Sequence, residues 1–195
     1  MNITLFGGSF NPPHIGHQIV IDQALNLIPK IDQLWLLPDY QHSFAKNNTL
    51  ASPKHRLNMA KLLLKPTVRL QTCCFDQKMS GNTIDHINYL KKAFPQHHFS
   101  FLLGSDNLAQ FHLWPQYQQL LKLMVFYIYP RHGYNFKPLY AGMTPLTHPQ
   151  QIITNISSTM IRQRIKQGLI IEHLVPPKIF AYLSYHCLYG LTTPA

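Results

Sequence analysis

A parallel α/β sheet with helices on both faces is the fold this sequence predicts, and three observations carry the prediction. Short apolar runs rich in β-branched and aromatic residues alternate with segments of helical period, the pattern of strand, crossover and parallel strand. The runs are apolar almost throughout, as in strands buried on both faces. The first of them, Ile3-Thr4-Leu5-Phe6, stops at the paired glycines Gly7-Gly8, where the missing Cβ atoms let the backbone approach a ligand.

After that strand, Pro12-Pro13 stiffen the turn into a helix that should run to about Leu27. Residues 33–37 read as a buried strand ending at Pro38, and a polar loop follows over 39–51. Pro53 marks a helix start, and Leu57, Ala60, Lys61 and Leu64 carry its repeat until Pro66 stops it. A strand is expected over 68–73, then a helix over 83–93 with Ile84, Ile87 and Leu90 on one face. The run 98–103 is a strand ending at Gly104, and a polar helix should occupy about 107–121. Residues 124–129 form the next strand, the turn Pro130-Arg131-His132-Gly133 follows, and a last strand is expected near 152–155. Ser157 or Ser158 then caps a helix that Gly168 closes. Ligands of such sheets bind at the carboxyl ends of strands, where His14, His17, Asp106 and Ser157 all fall.

Composition excludes several functions. The chain has 195 residues, opens directly on a strand and contains no apolar run near the roughly 18 residues of a membrane span, so a single cytoplasmic domain over 1–195 is expected. Cys73 and Cys74 are neighbours in the expected strand 68–73, pointing to opposite faces, and Cys187 stands alone, which implies neither a disulfide framework nor a zinc ribbon. Seventeen Lys and Arg against seven Asp and Glu give a net charge of +10, a field that draws anions into a cleft. The basic residues are scattered without a dense stripe or interleaved aromatics, so no nucleic-acid partner is expected. The carboxylates are scattered too, against a glycosidase pair or a two-metal cage.

Two strings carry chemistry. In Gly7-Gly8-Ser9-Phe10-Asn11-Pro12-Pro13-His14-Ile15-Gly16-His17, His14 and His17 are three apart and share the opening helical turn with amides whose partial positive charge attracts anions. As a zinc pair they lack the spacing of four and an acidic neighbour, since no Cys, Asp or Glu precedes Asp22. In Ser157-Ser158-Thr159-Met160-Ile161-Arg162, three hydroxyls open a helix and an arginine follows within one turn, which makes a second anion pocket.

The first string resembles the signature of the HxGH nucleotidyltransferases, and the second matches that superfamily's Ser/Thr and arginine signature. Within it, Gly104-Ser105-Asp106 with Phe111 and Trp114, Arg131-His132-Gly133-Tyr134, Asn82-Thr83-Ile84-Asp85 and Val175-Pro176-Pro177 through Tyr182 resemble patterns of the nicotinate-nucleotide adenylyltransferases. Three departures are visible. His42-Ser43-Phe44-Ala45-Lys46 stands where the family has Pro-Pro-His-Lys, Asn82 replaces a tyrosine, and His132 replaces a proline.

The resemblance implies a Rossmann-like sheet and an enzyme of NAD synthesis that joins ATP and nicotinate mononucleotide, with Mg²⁺ accompanying the ATP. It implies that His14 and His17 stabilise charge on the α and β phosphates. Arg162 with Ser157, Ser158 and Thr159 would hold the departing pyrophosphate, and Gly7, Gly8, Ser9, Phe10 and Lys46 the ATP phosphates. Asp106 would hold a ribose hydroxyl, Trp114 would stack on the pyridine ring, and Thr83 and Arg131 would line the mononucleotide side. Nicotinamide mononucleotide or another phosphorylated acceptor, and a nucleotide-binding regulator without turnover, are the alternatives.

Overall fold

The computed structural model describes residues 1–41 and 50–192. Strands β1 (Asn2–Gly8), β2 (Gln33–Pro38), β3 (Val68–Leu70), β4 (His98–Gly104), β5 (Phe126–Tyr129) and β6 (Met143–Pro145) form one sheet in the order 3-2-1-4-5-6, every pair parallel. Successive residues divide between its two faces. Ile3, Leu5, Trp35, Leu37, Phe101 and Leu103 pack with Ile84, Ile87 and Leu90 of α4 (Thr83–Ala93) and Leu120 of α5 (Tyr117–Leu123). Leu34, Leu36 and Leu102 face the other way, onto Val20, Ile21 and Ala24 of α1 (Ile15–Leu27). A third cluster joins Met59 of α2 (Pro53–Lys61) to Ile161 and Ile165 of α6 (Ser158–Lys166) and Ile179 and Leu183 of α7 (Pro177–Tyr185). The polar pair inside the sheet is self-satisfied, with the Thr4 and Ser100 hydroxyls 2.9 Å apart on paired positions. Among the described residues no helix is long and apolar enough to cross a membrane.

Three expected boundaries change. The strand expected over 68–73 ends at Leu70, and Cys73–Asp76 form a helical turn, α3. Gln71 Oε1 accepts from the Cys73 amide at 3.0 Å, which offers this backbone an alternative to the ladder. Cys73 and Cys74 therefore do not point to opposite faces; both are buried with sulfurs 3.9 Å apart. The polar helix expected over 107–121 is broken into a 3₁₀ segment, Ser105–Leu113, and α5, because Pro115 has no N–H and Gln116 adopts φ +54°. The last strand is not at 152–155 but is β6. Around Ile152 the ladder is replaced by side chains, Gln23 Oε1 taking its amide and Tyr129 Oη donating to its carbonyl at 2.7 Å.

The buried stripe of α2 is also offset from the expected one. Arg56, Met59 and Ala60 are buried while Lys61 and Leu64 are exposed, and the helix gives way to tight i→i+3 turns after Lys61. Arg56 can occupy a core position because backbone carbonyls receive its whole guanidinium, as described below.

Candidate active site

β1 and β4 are neighbours whose connections leave in opposite directions, and their carboxyl ends open on a cavity of about 350 Å³. This is where a doubly wound sheet takes its ligand. Gly7 is required there by packing as well as by approach, since a Cβ would lie 2.8 Å from the Phe101 ring. At Gly104 a Cβ would displace the Asp106 carboxylate folded back over it.

The histidines form one unit. His14 is the N-cap of α1 with extended backbone, its amide donates to His17 Nδ1 at 3.2 Å, and the two rings stand 3.8 Å apart. Because Nδ1 of His17 accepts, its proton sits on Nε2, the other edge of a ring whose residue lines the cavity. The buried Phe10 ring supports His17 at 5.1 Å. Gly16 admits His14, whose Nδ1 would lie 2.9 Å from a Cβ there. Burial lowers the His17 pKa to about 3, with Arg131 adding to the effect, and burial followed by His17 and Arg131 lowers that of His14 well below the usual range. Both rings are neutral donors in the unliganded protein.

This has a measurable consequence. An unfolded histidine ionises near 6.5, so between there and about 3 the unfolded chain binds a proton at His17 that the folded chain does not. Stability is unaffected by this group above 6.5 and falls by about 1.4 kcal/mol per pH unit as the pH drops through that window. Asp39 acts oppositely, because burial, against the pull of Arg56, raises its pKa to about 7, and its contribution is lost as pH rises from about 4 to 7. Comparing His17→Asn with the parent isolates the histidine. Urea unfolding between pH 6 and pH 4 should show the parent losing about 1.4 kcal/mol per unit more than the variant; equal slopes would mean that His17 ionises freely in the folded protein.

The second string meets the first. Ser157 caps α6 by accepting from the Met160 amide at 3.2 Å, and Ser158 Oγ donates to the Pro12 carbonyl at 2.8 Å. Both serines line the cavity opposite His14 and His17. Thr159 and Arg162 do not line it. Arg162 donates from Nη1 to the Asn11 carbonyl at 2.7 Å and from Nη2 to Thr159 Oγ1 at 3.3 Å, so both stand behind the loop that joins β1 to α1.

On the far side, Thr83 begins α4, and Trp114 lies 5.2 Å from the Phe111 ring. Asp106 is fixed by Asn107 Nδ2 at 3.2 Å and faces Arg131 Nε at 3.9 Å. Thr83, Asp106, Asn107, Trp114 and Arg131 all line the cavity. Of the expected site residues, the cavity thus gathers Gly7, Gly8, Ser9, His14, His17, Thr83, Asp106, Trp114, Arg131, Ser157 and Ser158. Phe10, Thr159 and Arg162 support it from behind, and Lys46 lies outside the described residues.

A family model described as Cytidylyltransferase-like matches residues 5–164. Over nearly the whole chain the sequence is 31% identical to a probable nicotinate-nucleotide adenylyltransferase of Flavobacterium johnsoniae, covering 97% of this chain and 99% of that one. It is 32% identical to the protein so named in Exiguobacterium sibiricum, covering 97% and 100%. The chain belongs to the nicotinate-nucleotide adenylyltransferase family. A solved Plasmodium falciparum nicotinic acid mononucleotide adenylyltransferase, complexed with NaAD, has the same fold, with a TM-score of 0.81 at 22% identity over 98% of each chain.

Within that family fold, two functional groups escaped the sequence. Asp39 lies on the cavity wall just past β2, and Arg56 is fully buried beneath it. Arg56 donates to the carbonyls of Ser9, Asp39, Tyr40 and Ala51, and its guanidinium also lies 5.7 Å from the Phe75 ring centre. The only cue to Arg56 is its position one turn before Met59 and Ala60 on the buried face. Asn82, which departs from the resemblance, is the N-cap of α4. Its Nδ2 donates to Asp85 Oδ2 at 3.3 Å, and Ser80 Oγ donates to the same oxygen at 2.7 Å, so the 80–83 turn is closed on itself.

Proposed function

We propose that this member of the family transfers the adenylyl group of ATP to nicotinate mononucleotide, giving nicotinate adenine dinucleotide and pyrophosphate. The observation that carries the proposal is the meeting of two helix N-termini in one cavity, α1 with its paired neutral histidines and α6 with its serines. A phosphate oxygen of the mononucleotide attacks the α-phosphorus, the bond from that phosphorus to the α,β-bridging oxygen breaks, and pyrophosphate leaves. An ionised phosphate needs no general base, so positioning and charge neutralisation supply the catalysis.

In this reading Nε2–H of His17 and the ring of His14 stabilise charge at the α and β phosphates, with the loop Gly7-Gly8-Ser9 beside them. Ser157 and Ser158 receive the pyrophosphate, and Thr159 and Arg162 hold the loop from behind and supply positive potential. Asp106 accepts from a ribose hydroxyl, Trp114 stacks on the pyridine ring, and Thr83 and Arg131 line the acceptor side. Mg²⁺ would enter with ATP as part of the substrate and offset the charge of its phosphates. Among the described residues no three His, Cys, Asp or Glu side chains converge to hold an ion of their own.

The acceptor is the acid. A cavity in a protein of net charge +10, with Arg131 on its wall, favours a mononucleotide carrying an extra carboxylate, and the turn at Gly81 and Thr83 places backbone beside the cavity to receive it. Offered nicotinate and nicotinamide mononucleotide at equal concentration with Mg²⁺ and ATP, the protein should consume the acid at least about tenfold faster. Equal use, or preference for the amide, would overturn the acid assignment. Absence of pyrophosphate release with either would favour a nucleotide-binding regulator.

A further inference from the structure

The last described turn reaches the loop between β1 and α1. Residues Leu188–Gly190 form a 3₁₀ turn beyond α7, and Tyr189 sits within it in left-handed backbone at φ +59°. Cys187 before it, at φ +47°, and Gly190 after it, at φ +85°, are left-handed too. A tyrosine takes such a conformation only where its surroundings impose it. Here the imposed contact is polar, since Tyr189 Oη donates to Asn11 Oδ1 at 2.7 Å.

Asn11 is 2% exposed and lies between Phe10 and Pro12 in the histidine motif. The same Oδ1 accepts from the Ala51 amide at 2.8 Å, and the Asn11 carbonyl accepts from Arg162 Nη1 at 2.7 Å. The neighbouring carbonyls are held in the same way, Ser9 by Arg56 Nη1 and Pro12 by Ser158 Oγ. The loop is thus suspended on donors from α2, α6 and the turn at Tyr189. Burial pushes the Tyr189 phenol above its usual range, against Arg162 and Arg56, so it remains a donor at every working pH. The matched family region covers residues 5–164, so Asn11 lies within it and Tyr189 beyond it.

We propose that Tyr189 is a positioning residue for nucleotide binding: its hydroxyl fixes Asn11 and, through Asn11, the loop whose Gly7-Gly8-Ser9 backbone lines the cavity. The proposal rests on the adenylyl-transfer reading only for its effect on turnover. Its effect on ATP affinity can be read without any acceptor. A lost hydrogen bond of this kind changes a binding constant by up to about tenfold.

The test is Tyr189→Phe, which keeps the ring and removes only the hydroxyl. Calorimetric titration with Mg²⁺ and ATP should show affinity reduced about tenfold, with the melting temperature close to the parent's. In an Asn11→Ala background, or Asn11→Leu should alanine prevent folding, Tyr189→Phe should change affinity less than twofold, because its acceptor is already gone. Undiminished ATP affinity in the single variant would overturn the proposal, as would an equal loss in both backgrounds. If the parent binds ATP but makes no dinucleotide, the adenylyl-transfer reading fails by itself, and the affinity comparison still decides the role of Tyr189.

Discussion

Replacing His17 by alanine is expected to lower kcat by about 10² to 10³, the usual cost of one donor aimed at developing charge. The fold and the ATP affinity should be largely retained. His17 Nδ1 is already committed to the His14 amide, so a single defined edge of the ring, Nε2–H, is available to the phosphates. Burial keeps that ring neutral in the free protein. As negative charge builds during transfer its donor strengthens, and the interaction therefore contributes more to the transition state than to the ground state. His14→Ala should behave similarly, since His14 lines the same cavity and its backbone contacts to α1 survive the substitution. Steady-state kinetics together with ATP titration checks both variants. Near-parental turnover in folded His17→Ala protein would remove the mechanism.

The second large effect is on stability. Arg56→Met should lower the unfolding free energy by about 3–5 kcal/mol, measured by urea denaturation. The side chain is fully buried and donates to four carbonyls on three separate stretches, Ser9, Asp39-Tyr40 and Ala51. Methionine fills most of the volume but leaves those acceptors without their donors, and each buried orphan costs about 1–3 kcal/mol where water cannot reach it. The loss is a large share of the roughly 5–15 kcal/mol that holds an ordinary domain together. Arg56→Lys should recover only part, since an ammonium cannot match the planar fork. A methionine variant within about 1 kcal/mol of the parent would show that the carbonyls find other donors.

Asp39 links the two experiments. The nearby Arg56 cation lowers its pKa, while burial raises it to about 7. Removing Arg56 therefore drives this cavity carboxyl further toward its neutral form.

Much of the active site was legible because its signals are local. The glycine pair ending β1, the prolines before α1 and the serines before α6 each act within a few residues, through φ preferences and capping bonds that distance along the chain does not alter. The hydrophobic runs likewise placed β1, β2, β4 and β5 to within a few residues. Part of what the sequence misplaced was decided by partners far along the chain. Gln23 and Tyr129 take up the backbone near Ile152 and prevent a strand there, and β5 instead pairs with Met143–Pro145. The helical repeat of α2 could not reveal that a charged residue leads its buried face, because the carbonyls that make Arg56 tolerable come from loops 5 to 47 residues away.

The sequence by itself therefore determined the class of fold, the two phosphate strings and the family resemblance, all of which depend on residue order over short spans. Tertiary structure decided which members of those strings face the cavity. Both arise from one chain, yet only the fold brings Ser158 to Pro12, Arg162 and Tyr189 to Asn11, and Arg56 to Ser9. The physical reason is that buried carbonyls and amides must each find a partner, and which donor is near enough to serve depends on the packing of the sheet, not on the order of the residues.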